Sequence, residues 1–222
     1  MNVLRSRPAA VSTRVSAGAR AGLLVAAAVT GLCAPMMVQA QSVENPWLVR
    51  LRAVHLDSAN KDSTGLGLSV NDKTIPDVDV SYFFTPNIAA ELVLTYPQKH
   101  RIYSGDTRIG SLKHLPPTLT AQYHFNPSGN VRPYVGAGLN YTHFSGVEFD
   151  SAVEAALAPS IKKNSFGLAA QIGVDVMLDK RWSVNFDIKK LQIRTKVSSD
   201  GTEVGKFKVD PLLIGAGVGY RF

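Results

Sequence analysis

The chain has 222 residues with 24 Lys+Arg, 17 Asp+Glu and a single cysteine, and 45% of it is hydrophobic, which excludes a disordered chain and suits one large domain or two small ones. Residues 1–40 hold four arginines (Arg5, Arg7, Arg14, Arg20) and no acid, so the formal charge of +7 falls to 20 − 17 = +3 over the remainder, and nucleic-acid binding loses its main support. The one cysteine, Cys33, also lies in that first segment, which excludes disulfide scaffolds, thiolate zinc sites and Cys nucleophiles from the rest.

Residues 1–40 read as a signal peptide to be removed. An Arg-, Ser- and Ala-rich start leads into the uncharged run Ala21–Leu32, then Ala34-Pro35 and the small-residue site Val38-Gln39-Ala40. The apolar run falls short of the roughly 20 residues that a spanning helix needs. The bulky Leu32 before Cys33 argues against lipoprotein processing, so the mature domain is expected over 41–222.

From Gln41 on, period-2 alternation dominates. In Trp47–Leu56, Trp47, Val49, Leu51 and Ala53 share a face opposite Arg50 and Arg52. Val78, Val80 and Tyr82 alternate with Asp77, Asp79 and Ser81; Ala90, Leu92, Leu94 and Tyr96 oppose Glu91 and Thr95. Leu119, Ala121, Tyr123 and Phe125 oppose Thr120, Gln122 and His124; Val135, Ala137, Leu139 and Tyr141 oppose Gly136, Gly138, Asn140 and Thr142. Three more strands follow around Ala170–Val176, Trp182–Ile188 and Leu212–Phe222, for eight in all, each with one apolar and one small or polar face.

A soluble sandwich shares this alternation, so three further features decide. Short turns at Thr85-Pro86-Asn87, Asn126–Asn130 and Asp179-Lys180 alternate with long polar connections at Asp57–Thr74, Pro97–Lys113, Ser145–Ser165 and Ser198–Lys208. Aromatics (Trp47, Tyr82, Phe84, Phe125, Trp182, Tyr220, Phe222) gather at the strand ends beside the short turns. The last strand ends at an aromatic, with apolar residues at every second position, as a strand that closes onto the first one would. Together these give an all-β fold, an eight-stranded antiparallel up-and-down transmembrane barrel with short periplasmic turns and long extracellular loops.

The inward residues sort by height. Arg50, Arg52, Asp79, Ser81, Glu91, Gln122, His124, Asp175, Asn185, Asp187 and Arg221 fall in the lower half, and their charges should pair into a polar plug. Val54, Leu56, Val93, Leu115, Phe144, Leu191, Ile193 and Leu213 fall inward or at the mouth above it, which gives an apolar cup floored by a plug. Such residues either pack on one another or hold a ligand, and the residues alone leave both readings open. Pro116-Pro117 and Pro211, at the outer ends of two strands, either begin strands in the ordinary way or mark a seam through which an apolar molecule leaves sideways. Beyond Ile188 the outward positions are Lys190, Gln192, Arg194 and Lys196; either a bulge flips the register, or these cations rise above the hydrocarbon toward lipopolysaccharide phosphates.

The chain resembles the OmpW family of small outer-membrane barrels over essentially all of its mature length. The resemblance rests on Lys113–Thr118 (KHLPPT), Arg132–Thr142 (RPYVGAGLNYT), Gln171–Asp175 (QIGVD) and the closing Gly219–Phe222 (GYRF). It implies a hydrophobic channel in the Gram-negative outer membrane that passes small apolar compounds, with Val93 and Phe166 at its lumen, although parity faces Phe166 outward. Lys189-Lys190 depart from the family pattern, where aromatics are more usual. Tyr220 and Phe222 stand as the signal expected to engage the barrel-assembly machinery.

The leading function is thus a passive conduit for small hydrophobic solutes, with no cofactor and no catalysis, since no nucleotide or metal motif occurs. Its glycines in Gly136-Ala137-Gly138 and Gly215–Gly219 fit close packing inside the barrel. The alternative is a structural or receptor barrel acting through its loops, where Ser151–Ala158 suggests a short helix. A third class, an enzyme at the rim, would draw on His100, His114, Asp106 and Ser111, whose spacing matches no template.

Overall fold

The computed structural model describes residues 43–222; the expected signal peptide lies outside them. Eight strands form the wall: β1 (Trp47–Asp57), β4 (Lys73–Phe83), β5 (Ile88–Leu94), β8 (Thr118–His124), β9 (Val131–Phe149), β11 (Asn164–Met177), β12 (Trp182–Leu191) and β15 (Leu212–Arg221). Each pairs antiparallel with the next, and β15 pairs with β1 from Leu48↔Arg221 to Asp57↔Leu212, so the sheet closes on itself. Closure removes the exposed edges that an apolar sheet would otherwise offer. At the seam of the two chain ends, Trp47 and Phe222 exchange backbone hydrogen bonds of 3.2 and 3.0 Å.

The outer face is apolar. On β9 the outward positions run from Val131 to Tyr141 and on β11 from Phe166 to Val176, about the 9–11 residues that a tilted strand needs to cross hydrocarbon. No helix among the described residues is long and apolar enough to cross a membrane. A periplasmic girdle is built from edge-on aromatic contacts, with Trp47 4.8 Å from Tyr82, Tyr82 5.1 Å from Phe84, and Trp182 4.9 Å from Tyr220. Rings with one wet edge and one apolar face suit the lipid–water boundary. Tyr96, Tyr141 and Phe166 mark the opposite boundary, all of them exposed.

The long connections are not polar loops. They carry β2 (Lys61–Asp62), β3 (Leu68–Val70), β6 (Gln98–Ser104), β7 (Thr107–Leu115), β10 (Pro159–Ile161), β13 (Arg194–Ser199) and β14 (Thr202–Lys208), together with the helix α1 (Ser151–Leu157) that falls on the suggested segment. These continue the wall upward as hairpins. Asp200 and Gly201 at φ 47° and 76° make the tight turn between β13 and β14, where both positive angles match the twist of the flanking strands. The interior of this extension is an apolar core that includes Leu68, Val70, Ile102, Leu112, Val197 and Phe207. The sequence hides it because Lys and Arg fill the outward positions, and charged alternation reads as loop.

Two inward assignments change. Leu115 faces outward and is half-buried, paired with the exposed His143, while His114 pairs with Phe144 and turns inward. The parity of β8 carries back through Pro116-Pro117 without a flip, held by the Tyr141 N–H donating to the Pro117 carbonyl. Phe166 is 81% exposed on the outer face, against Tyr141 at 4.8 Å. The pairing of β11 with β9 runs unbroken from Asn164 to Val176, with no bulge to turn Phe166 into the lumen the resemblance implied.

Candidate functional site

The lower lumen is an ion-pair network centred on two arginines of β1. Arg50, fully buried, forks onto Asp175 at 3.0 and 2.7 Å and reaches Asp79 at 3.0 Å, Ser81 at 3.1 Å and Glu91 at 3.4 Å. Arg52 forks onto Asp77 at 2.9 and 3.1 Å, contacts Asp79 at 3.1 Å and lies 3.6 Å from Asp187. Planar guanidinium groups satisfy several carboxylates at once, which a lysine in either place would not do.

Three members of the network were not assigned to the plug from sequence. Lys189 reaches across the lumen to Glu91 at 2.8 Å and lies 4.0 Å from Asp187. Tyr134, fully buried, donates its hydroxyl to Asp187 at 3.0 Å and accepts from Asn185 at 3.1 Å. Asp77 completes the set. All three sit at inward parity in strands already assigned, so the alternation itself carried the signal. Gln122 donates to Glu91 at 2.8 Å, and His124 meets Gln122 at 3.0 Å. Three cations (Arg50, Arg52, Lys189) thus face five carboxylates (Asp77, Asp79, Glu91, Asp175, Asp187). The glycines of the inner wall make room for this crowd. A Cβ on Gly173 would strike the Tyr134 ring and lie 2.8 Å from the Phe186 carbonyl, and one on Gly217 would strike the Leu51 carbonyl.

Above the plug the lining turns apolar: Val54, Leu56, Ile75, Val93, Leu191 and Leu213, joined by Pro116 and Pro211. Their packing leaves an open core of about 20 Å³, room for about one water. A second, wholly apolar chamber of about 50 Å³ lies higher, between Phe144, the hairpins and α1, with Val153 and Leu157 of the helix at its rim. Both are smaller than the roughly 150 Å³ cavity that holds a benzene ring, so a solute has to displace side chains to enter. The cup is largely filled by its own residues.

A stacked pair of imidazoles lies beside Phe144 of the upper chamber. His100 and His114 lie 4.6 Å apart and 12° from parallel, with His114 also 6.3 Å from Phe144. His100 Nδ1 meets the Asn71 carbonyl at 2.9 Å. The pair sits beyond the hydrocarbon level marked by Tyr96 and Tyr141; burial pushes His100 below the usual imidazole range and His114 down to about 3, so both stay neutral. Of the rim groups weighed for catalysis, these two come together. Asp106 instead occupies the exposed tip of the β6–β7 hairpin and Ser111 pairs with Arg101, so the four groups do not all converge.

The wall has a gap beside the lower chamber. The β4–β5 ladder ends at Val78↔Leu94 and the β5–β8 ladder at Val93↔Thr118, while β4 continues to Lys73 and β6 pairs with β7. Between Ile75–Asp77 on one side and Thr95–Pro97 on the other, the ladder is not continued, with Pro76 and Pro97 flanking it and Pro116 lining the chamber behind. The second proline expected at a seam, Pro211, leaves none: its carbonyl accepts from Leu191 N–H at 3.1 Å, and the neighbouring ladders run up to Leu212.

The family model described as "OmpW family" matches residues 49–222. The "Uncharacterized outer-membrane protein y4mB" of Sinorhizobium fredii is 42% identical over 188 residues, 80% of each chain. "Outer membrane protein W" of Escherichia coli is 37% identical over 162 residues, 70% of this chain and 76% of that one. The crystal structure of the outer membrane protein OprG from Pseudomonas aeruginosa superposes with a TM-score of 0.70 at 26% identity, covering 79% of this chain and 95% of that one.

Proposed function

The chain belongs to the OmpW family of Gram-negative outer-membrane barrels, and from that premise we propose that it is a passive conduit for small apolar molecules. The observation that supports this reading is the apolar lining from the extracellular chamber down to Val93, set directly on a polar plug and beside a gap in the wall. A solute enters among Phe144, Leu112 and Val153 and displaces flexible aliphatic side chains. At the plug it would have to break charge-assisted hydrogen bonds to go further. The lower-energy route is sideways between Ile75–Asp77 and Thr95–Pro97 into lipid, through backbone that needs no ladder bonds broken. A relative named "Dibenzothiophene metabolism operon protein PahQ" from Pseudomonas aeruginosa, 26% identical over 194 residues and covering 81% of this chain and 90% of that one, accords with an apolar solute.

No bond-making step belongs to this reading, and no cofactor is needed. During insertion, Tyr220 and Phe222 present the aromatic strand end to the assembly machinery. A second reading, a receptor that works through its loops, draws on α1, none of whose residues is buried.

Uptake of a monocyclic aromatic hydrocarbon by cells with and without the protein separates the two. The conduit predicts faster uptake with the protein, kept when Ser151 and Glu154, the polar residues of α1, are replaced by alanine. Equal uptake with the barrel folded in the membrane overturns it and favours the receptor.

A further inference from the structure

Outside the lumen, the charges of the extracellular extension are unevenly placed. Arg194 lies opposite Lys208 and Lys196 opposite Lys206 on adjacent strands β13 and β14. Like charges directly opposite each other weaken a strand pair, so folding alone does not favour this arrangement. The acids nearby are few. Asp210 takes Arg194 at 3.1 Å and Glu203 takes Lys196 at 2.6 Å, and among the described residues neither Lys162 nor Lys206 forms an ion pair. Lys162, Arg194, Lys196 and Lys206 line one open cleft of about 440 Å³, whose lower edge is Phe166.

The height of this cleft narrows the choice of ligand. The Arg194 N–H donates to the Ser165 hydroxyl at 3.0 Å, so the lowest cation stands one residue from Phe166, the top of the outward apolar run on β11. Phe166 is 81% exposed and packs on Tyr141, whose hydroxyl lies 3.0 Å from Asn164. The alternation of β12 carries into β13 with no flip: Leu191, Ile193, Thr195 and Val197 are buried, and the cations point out. On β13 the outward cations thus begin at the level of an exposed ring and above Leu168. A ligand complementary to this surface carries phosphate at its head and acyl chains below.

We propose that this cleft is a docking site for the phosphorylated lipid A portion of lipopolysaccharide, with phosphate between Arg194, Lys196 and Lys206 and acyl chains along Phe166 and Leu168. Phosphate adds to the counter-charge that Asp210 and Glu203 supply to only one member of each opposed pair, and guanidinium and ammonium donors suit its oxygens. Bound glycolipid would thereby brace the β13–β14 hairpin that walls the upper chamber. The site stands on the outer face and does not depend on solute passage.

The test uses the folded barrel in phosphatidylcholine nanodiscs, titrated with bisphosphorylated lipid A and followed by native mass spectrometry. The triple variant R194Q/K196Q/K206Q should bind about tenfold or more weakly than the wild type, while K99Q, a lysine of β6 away from the cleft, binds as the wild type does. Dephosphorylated lipid A should bind weakly, and inorganic phosphate should compete poorly because it lacks acyl chains. Should the triple variant fail to fold, K206Q alone removes a cation with no acidic partner and should weaken binding about threefold. Wild-type affinity in a folded variant, or phosphatidylglycerol binding as tightly as lipid A, overturns the proposal.

Discussion

The plug and the chamber above it share one lumen and one inward register, yet they resist intrusion by different physics. In the plug, Arg50 and Arg52 hold carboxylates from β4, β5, β11 and β12 at fixed angles, so any displacement breaks several charge-assisted hydrogen bonds together. In the chamber, Leu56, Val93, Leu191 and Ile193 line one small space with apolar groups whose contacts have no direction, and a rotamer change loses little. A lumen with no preformed hole can therefore still be yielding over one half and closed over the other. The boundary falls at Val93, two residues above Glu91 on the same face of β5.

Breaking the rigid half should have the largest effect. Arg50→Ala leaves Asp175 buried without its cation and Asp79 with Arg52 alone, a loss of about 3–5 kcal/mol that urea unfolding in detergent micelles would read. Crowding the same half costs less: Gly173→Ala forces the Tyr134 ring to move and should destabilise by about 1–3 kcal/mol in the same titration. A smaller, local effect belongs to the upper half. His100 and His114 are buried neutral, with folded values below the unfolded imidazole value of about 6.5, so the unfolded state binds more protons as pH falls. The stability they contribute is complete above about pH 6.5 and is lost progressively below it. Hydrogen exchange should show protection of β6 and β7 falling between about pH 6 and pH 4 while β1 and β15 stay protected, and His114→Phe should reduce that dependence.

The eight wall strands were legible because each alternates strictly and meets lipid on one side, which leaves little freedom to place a charge outward. The same alternation placed Arg50, Asp79, Glu91 and Asp175 on one inner face, though it took the structure to show Lys189 closing the network across the lumen from β12. Lys189 looked like a departure at the mouth because aromatics are more usual there in the family; the cross-barrel distance to Glu91 explains it. The hairpins β6–β7 and β13–β14 were hidden because above the membrane their outward positions are free to be Lys and Arg. Leu115 was placed inward or at the mouth, yet one hydrogen bond from Tyr141 to Pro117 keeps the register across the proline pair and turns it out.

The measurement closest to the central claim is uptake of a small apolar hydrocarbon by cells carrying the Val93→Arg variant, with equal amounts of folded barrel in the outer membrane. The new guanidinium enters the chamber whose lining includes Asp77 and Asp187, on top of a network in which five carboxylates face three cations, so the barrel is expected to tolerate it while the apolar path closes. The account predicts that uptake falls to the level of cells lacking the protein. Uptake at the wild-type rate in a folded Val93→Arg barrel would contradict it.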